Sequence, residues 1–228
     1  MNNSTNTIDR RSLSSTRYHD PPHDCSKCPR LVKFRLQNRA CFPSYHNAPV
    51  AAFGNLDASV KLLIVGLAPG LKGANQTGRP FTGDYAGDVL YYTLIKFGFA
   101  KGEYKKSKTD GLSLIGCRIT NAVRCVPPQN KPVGEEIRNC SENLRLEIMS
   151  LKELKCILAL GVISHNAVLA VFGKKRSQFP FGHCVKHNLS NNIILADSYH
   201  CSRYNINTGR LTPKMFCDVF ETILDIVT

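Results

Sequence analysis

The stretch Gly66–Asp84, GLAPGLKGANQTGRPFTGD, is the most informative part of this chain and directly follows the apolar run Lys61–Val65. A short apolar run bounded by glycine is typical of a buried parallel strand. The quoted stretch contains five glycines and ends in its single acid, Asp84. A glycine-rich loop after a strand lets backbone amides approach a ligand closely at the carboxyl edge of a sheet. The sequence therefore predicts a strand that leads into a ligand-binding loop.

Apolar runs and helical patterns alternate along the rest of the chain. The runs that predict strands are Lys61–Val65, Arg118–Val123, Lys155–Leu160 and Ile193–Ala196, and the predicted helices are Leu31–Gln37, Tyr85–Phe97, Gly134–Leu151, Ser164–Phe172 and Pro213–Ile226. Strands that alternate with helices form a parallel sheet covered on both faces. We therefore predict an α/β fold in three layers, α/β/α, around a central parallel four-stranded sheet. Its ligands are expected beyond the carboxyl ends of the strands.

The chain has 228 residues, enough for one α/β domain with a substantial core. Residues 1–20 are rich in Asn, Ser, Thr and Arg and show no apolar periodicity, which predicts a flexible tail. Residues 21–228 are predicted to form a single domain. No early apolar run resembles a signal peptide, and no run approaches the ~18 apolar residues of a membrane span. We therefore expect a cytoplasmic protein without a membrane partner.

The chain is strongly basic, with a net charge of +13. A basic surface can simply keep a protein soluble. Lysine and arginine also displace counterions from phosphates, so the same charge favours a polyanion as the partner. Composition alone leaves both interpretations open.

The cysteines have a layout that is typical of a metal centre. Disulfide frameworks are rare in cytosolic proteins, so metal binding or burial must explain most of the ten cysteines. Cys25 and Cys28 form a C-x-x-C motif, and Cys125 and Cys140 follow far downstream. A tight pair can hold one edge of a metal centre while a distant pair closes it. The spacing alone fits a structural zinc site nearly as well as a 4Fe–4S cluster.

Three segments together resemble the signature motifs of the family-5 uracil-DNA glycosylases, the iron–sulfur members of a larger superfamily. They are GLAPGLKGANQTGRPFTGD, ITNAVRCVPPQNKP and SYHCSRYNINTGRLT, and CSKCPRL is similar to that family's first cysteine pair. The resemblance covers about residues 25–225 and keeps the motif order. It implies the same parallel four-stranded sheet. It also implies that Cys25, Cys28, Cys125 and Cys140 hold a structural 4Fe–4S cluster.

Hydrolysis of a base–sugar bond in DNA needs an extruded nucleotide, a stabilised leaving base and a water molecule at a cationic sugar. The resemblance implies that His200 donates a hydrogen bond to the departing base and that Asp84 orients water or stabilises the sugar. Asn130 is a further polar residue of the motifs that would position water or substrate. By itself, Asp84 could equally be the N-cap of the following helix.

The same motifs imply the residues that bind the base and the DNA. Phe81 would stack on the base, although core packing is its ordinary alternative. Asn121 would offer an amide donor and acceptor to a pyrimidine, although an Asn at a strand end is more often a turn residue. The other implied contacts are Gly66, Ala68 and Gly70 for the substrate, and Arg203, Asn205 and Arg210 for DNA phosphates and the strand gap.

The function implied by the resemblance is a monofunctional DNA glycosylase that removes uracil, and other deaminated bases such as hypoxanthine, and leaves an abasic site for base-excision repair. Leu67 stands where family-4 relatives carry an acid, so Asp84 is expected to replace that acid and the site to accept a wider range of bases.

One alternative is a family-4-like enzyme restricted to uracil, against which Leu67 argues. Another is a non-catalytic nucleic-acid-binding protein stabilised by a metal. We expect a monomer whose partner is DNA containing deaminated bases.

Overall fold

The computed structural model describes residues 18–228. The helices are α1 (Pro29–Cys41), α2 (Ala74–Thr77), α3 (Tyr85–Lys96), α4 (Gly134–Ser150), α5 (Val162–Val171), α6 (Arg203–Asn207) and α7 (Pro213–Val227). The strands are β1 (Leu62–Gly66), β2 (Ala100–Lys101), β3 (Ser113–Leu114), β4 (Cys117–Asn121), β5 (Cys156–Leu160), β6 (Lys186–Asn188) and β7 (Ile194–Ser198). Within this part of the chain, no helix has the length and apolar character that crossing a bilayer would need.

The main sheet has five strands in the order β4-β1-β5-β7-β6. The strands β4, β1, β5 and β7 are parallel, as the four apolar runs predict, and every residue of β1, β4 and β5 is buried. The fifth strand, β6, pairs antiparallel with β7 at the edge. The prediction of four strands is one too few because β6 is a three-residue polar segment, Lys-His-Asn, with no apolar run to indicate it.

Helices cover both faces of the sheet, which confirms the three-layer prediction. Successive side chains of a strand point to opposite faces. In β1, Leu62 and Ile64 pack in the core that includes residues of α3 and α7. Leu63 and Val65 pack in a second core with residues of α4 and α5. This arrangement fixes the sheet between two helical layers and leaves its carboxyl edge open.

A buried ion network joins β4 to α4. Glu147 of α4 accepts hydrogen bonds from Arg118 and Arg124, each at 2.6 Å, and all three side chains are almost fully buried. The guanidinium of Arg124 also binds Tyr18 and Asp20. Of the tail predicted over residues 1–20, residues 1–17 lie outside the described residues, whereas Tyr18 and Asp20 belong to this network. Because Arg124 precedes Cys125, the network also fixes the start of the loop that follows β4.

Candidate active site and cysteine site

A cavity of about 540 Å³ lies at the carboxyl ends of β1 and β4 and beside the loop that follows β7. Of the residues expected to act on a substrate, Asp84, His200, Asn130, Ala68, Gly70, Phe81, Asn121 and Arg203 line it. The proposed carboxylate and the proposed imidazole therefore share one cavity. Leu67 lines it too.

Gly66, which was expected to contact the substrate, does not itself line the cavity, but it packs against two residues that do. The register of β1 and β4 pairs Gly66 with Asn121. A Cβ atom on Gly66 would lie 2.3 Å from Oδ1 of Asn121 and 2.6 Å from the ring of Phe81, so only glycine leaves room for both side chains. No group among residues 18–228 forms a hydrogen bond with the Asn121 amide. Its donor and its acceptor are therefore both available to a ligand.

Phe81 is held in an unusual backbone conformation. Its φ angle is +51°, in the left-handed region that a bulky residue occupies only under strain. The hydroxyl of Tyr104 donates to the Phe81 carbonyl at 3.3 Å. A Cβ atom on Gly87 would lie 1.8 Å from the same carbonyl oxygen, so α3 packs directly against it. These contacts fix the ring, which stacks on His200 with 5.8 Å between centroids.

A second buried ion pair fixes the loop before Phe81. Arg79 donates to both carboxylate oxygens of Asp110, each at 2.7 Å, and to Thr82 at 2.8 Å. Its guanidinium also lies over the rings of Phe53 and Tyr91. The hydrogen bonds from Arg79 hold the pKa of Asp110 well below its usual range. Sequence reasoning missed this pair, because nothing in the motif indicates a partner in the loop that contains Asp110 together with Lys105, Lys106 and Lys108.

Asp84 is the N-cap of α3. Its Oδ1 accepts a hydrogen bond from the backbone N–H of Gly87 at 3.1 Å. Its Oδ2 faces the glycine-rich loop, where a Cβ atom on Gly73 would come within 2.5 Å of it and one on Gly70 within 3.4 Å. Asp84 therefore does serve as an N-cap, the alternative role that the sequence suggested, and this role uses one of its two carboxylate oxygens. The other oxygen remains directed toward the loop and the cavity.

His200 enters the cavity from the loop after β7. Its backbone carbonyl accepts a hydrogen bond from the side-chain amide of Asn205 at 2.8 Å. Within the described part of the chain, its ring has no hydrogen-bond partner. Burial lowers the pKa of His200 below its ordinary value, and the charge of Asp84 opposes that shift only in part. The ring is therefore a neutral imidazole near pH 7, with one N–H to donate.

The residues expected to bind DNA do not form one strip. Arg203 lines the cavity, and its guanidinium lies 5.3 Å from the centroid of the Tyr85 ring. Arg210 lies over Tyr199 at 4.6 Å, outside the cavity lining, and Asn205 is bound to the carbonyl of His200. Their DNA contacts remain predictions. Asn130 lies exposed among the cavity residues with a φ of +56°.

Some residues of the cavity were not anticipated. They are Lys72, Ala74, Gly83, Tyr85, Ala86 and Ser202. The most informative of them is Lys72, an exposed cation within the glycine-rich loop. Its position inside the first motif was the signal that could have indicated it.

Cys25, Cys28, Cys125 and Cys140 surround one small pocket and are free thiols. Nitrogen atoms approach their sulfurs: Asn139 lies 3.6 Å from Cys28, Arg35 lies 3.8 Å from Cys125, and Asn143 lies 3.9 Å from Cys140. Such donors stabilise thiolate ligands and tune iron–sulfur clusters. The donor set and its surroundings fit a thiolate-bound metal centre.

The spacing of these sulfurs bears on the kind of centre. Across residues 18–228, the one group of three candidate ligands whose atoms all lie within 4.8 Å of one another is His165, His187 and Asp197. No three of the four cysteine sulfurs are therefore that close together. A tetrahedral zinc with bonds of about 2.3 Å would bring its sulfurs to about 3.8 Å from each other. This spacing is wider than the one that a tetrahedral zinc ion gives its four sulfurs.

Residues 53–224 match the model of the uracil DNA glycosylase superfamily, which is the class that this fold and site define. A type-5 uracil-DNA glycosylase of Thermus thermophilus is 42% identical over 86% of this chain and 90% of its own length. One from Pyrobaculum aerophilum is 38% identical over 87% of each chain, and a type-4 uracil-DNA glycosylase of the same organism is 30% identical over 80% of each. The chain belongs to the type-5 family of this superfamily, which confirms the resemblance drawn from the motifs.

Proposed function

We propose that this protein hydrolyses the N-glycosidic bond of uracil in DNA and leaves an abasic site, as the first step of base-excision repair. The observation that carries the proposal is the single cavity onto which Phe81, Asn121, Asp84 and His200 all open. The names of the type-5 relatives support it.

Phe81 and Asn121 supply the contacts for the base. An enzyme that acts on a base must extrude it from the duplex and read its pairing edge in a pocket. The fixed ring of Phe81 offers a stacking face, and the unpartnered amide of Asn121 offers one donor and one acceptor. Since the pairing edge of uracil alternates acceptor, donor and acceptor, a single amide can recognise it.

His200 stabilises the leaving base. Negative charge develops on a carbonyl oxygen of uracil as the bond to the sugar breaks, and a preorganised donor at that position typically contributes about 3–4 kcal/mol. A neutral imidazole can make this hydrogen bond with its one N–H and places no charge in the buried site before the reaction. The lowered pKa of His200 keeps the ring in that form.

Asp84 acts at the sugar. Its Oδ1 holds the start of α3, so its position is fixed, while Oδ2 is left to orient water or to stabilise the cationic sugar electrostatically. Leu67 supplies no acid to the cavity, so Asp84 is the carboxylate that orients water or stabilises the sugar.

The range of bases is the finer part of the proposal. The apolar side chain of Leu67 leaves the cavity less restrictive, and we extend the proposal to hypoxanthine. Duplexes that carry uracil, hypoxanthine or xanthine opposite each normal base test this range. Excision of uracil alone would favour the uracil-restricted alternative.

We also propose that Cys25, Cys28, Cys125 and Cys140 hold a 4Fe–4S cluster. Such a cluster would supply a structural crosslink between the segment before α1, the loop after β4 and α4, with no part in the reaction. The four thiols around one pocket, of which no three sulfurs lie within 4.8 Å of one another, and the nitrogen donors beside them support it. Iron and sulfide analysis with visible absorption tests it: about four of each per chain is expected in a brown protein. A colourless protein with one zinc per chain would overturn it.

The activity is tested with a uracil-containing duplex followed by alkali, which breaks the strand at an abasic site. Wild-type protein should give strand breaks, and Asp84→Ala or His200→Ala should reduce the single-turnover rate by at least ~10²-fold with DNA binding largely intact. Asp88→Ala, one turn along the same helix, and His19→Ala, at an exposed position, are matched controls that should retain the wild-type rate. Binding without breakage by the wild type would favour the non-catalytic alternative.

A further inference from the structure

His165, His187 and Asp197 form a cluster that is separate from the cavity and from the cysteine site. They come from α5, β6 and β7, and one candidate ligand atom from each lies within 4.8 Å of the other two. The side chains of His165 and Asp197 are buried, and that of His187 is 10% exposed. No motif of the sequence pointed to these residues, and the proposed reaction does not use them.

The imidazole of His165 is already oriented as a metal ligand would be. Its Nε2 lies 2.9 Å from the carbonyl oxygen of Phe179, so Nε2 carries the proton. Its Nδ1 lies 2.8 Å from Oδ1 of Asp197. Metal-binding histidines usually donate their other N–H to a carbonyl or carboxylate, which directs the free nitrogen at the metal.

Asp197 has an oxygen without a partner. Its Oδ2 is buried and accepts no hydrogen bond within residues 18–228, and Nε2 of His187 lies 3.6 Å from it. A simple ion pair between His165 and Asp197 would satisfy Oδ1 and leave Oδ2 unsatisfied. Buried polar atoms are rarely left so, because each costs about 1–3 kcal/mol.

We propose that His165, His187 and Asp197 bind a divalent transition-metal ion of the zinc class. Two imidazoles and one carboxylate are a common zinc donor set, with a fourth position for water. The ion replaces the proton shared between His165 and Asp197, which leaves to solvent. His187 gives up the hydrogen bond that its Nε2 makes to the carbonyl of Pro180, now 3.1 Å long, and the Nε2 proton passes through solvent to Nδ1, which leaves Nε2 free to bind the ion.

Such an ion would stabilise the part of the sheet that leads into the loop of His200. It would join the edge strand β6 and helix α5 to β7, and Asp197 lies three residues before His200. The expected consequence is stabilisation of this edge, and the inference does not depend on the proposed reaction.

Zinc itself is the probe. The holoprotein is treated with a chelator that leaves its visible spectrum unchanged, dialysed against Zn²⁺ and analysed for bound metal. Wild-type protein should hold about one more zinc per chain than His187→Ala, and His19→Ala should match the wild type. Zn²⁺ should raise Tm by several degrees in the wild type and in His19→Ala, but not in His187→Ala.

His187 lies on a short edge strand, so its replacement should leave the fold intact, and His187→Gln provides a second variant that keeps a donor for Pro180. Circular dichroism shows which of the two variants is folded, and that variant is compared with the wild type for zinc content and Tm. Equal zinc content and equal Tm shifts in the wild type and the folded variant would overturn the proposal. The absence of zinc binding by the wild type would also overturn it.

Discussion

Replacing Gly87 with alanine should destabilise the protein, although alanine is the better helix former. In an ordinary helix interior the change stabilises by about 1 kcal/mol. Here the new Cβ would lie 1.8 Å from the carbonyl oxygen of Phe81 and 2.5 Å from the hydroxyl of Tyr104. Real Cβ contacts essentially never fall below 3.0 Å, so the Phe81 backbone has to move by more than 1 Å. Overpacking of this kind costs about 1–3 kcal/mol, which offsets or exceeds the gain in helix propensity.

The larger effect should be on catalysis. Phe81 carries the ring on which the base stacks, and a displacement of about 1 Å in a substrate-positioning group can cost about 10²-fold in rate. We therefore expect Gly87→Ala to lower the single-turnover rate on a uracil-containing duplex by about 10²-fold. Denaturant unfolding of the same preparation should show a net loss of up to about 2 kcal/mol.

Gly134→Ala is the matched control for this experiment. Gly134 is the first residue of α4, and the atom nearest to its added Cβ is the flexible end of Arg138 at 3.4 Å. This variant should keep full activity and be as stable as the wild type or slightly more so. If Gly87→Ala behaved in the same way, the close contact between α3 and Phe81 would not constrain the site, and the reasoning would be refuted.

Three other features of the site can be tested in the same way: the Arg79–Asp110 pair, the lowered pKa of His200 and the hydrogen bond from Asn205. Asp110→Ala leaves the buried guanidinium of Arg79 unpaired and should lower the free energy of unfolding by about 3–5 kcal/mol in denaturant titrations; a loss within 0.5 kcal/mol would mean that the pair contributes little. Burial lowers the pKa of His200 in the folded state, so the unfolded state binds more protons at this residue as the pH falls. The contribution of the neutral His200 ring to the free energy of unfolding is complete above the unfolded pKa of about 6.5 and is lost as the pH falls below that value. The slope of the unfolding free energy against pH below about 6.5 should be smaller in His200→Ala than in the wild type, and an unchanged slope would contradict the lowered pKa. Asn205→Ala removes the hydrogen bond to the His200 carbonyl and should reduce kcat about 10-fold with little change in DNA affinity, whereas a loss confined to affinity would support the phosphate contact expected from the sequence.

The fold could be predicted because two of its inner strands are continuous apolar runs. β1 and β5 are buried on both faces and are apolar along their length, and the helices between the strands follow from periodicity. β4 is also fully buried, but it carries Arg118, whose charge is paired with Glu147. The edge strand β6 has no such requirement, because much of it faces solvent. A polar three-residue strand is indistinguishable from a loop in sequence alone.

The site could be predicted only where its residues lie in motifs. Asp84, His200, Phe81 and Asn121 belong to segments whose order identifies the family, and the fold brings them to one cavity. The contacts that hold them come from elsewhere. Asp110, for example, lies 31 residues from its partner in a loop whose lysines predict only a solvated surface.

Residue type alone did not distinguish Asn121 from Asn205. Both were expected to bind a ligand, yet the amide of Asn205 is already bound to the His200 carbonyl, whereas that of Asn121 has no partner among residues 18–228. A polar group whose hydrogen bonds are satisfied within the protein maintains structure, and one left unsatisfied beside a cavity or a cluster of ligand atoms is available to a ligand. Asn121 meets this criterion for the base, and Oδ2 of Asp197, one of five buried side-chain atoms without a hydrogen-bond partner among residues 18–228, meets it for a cation. The zinc experiment therefore tests the criterion as well as the metal site, since Asp197 was identified without any help from the motifs.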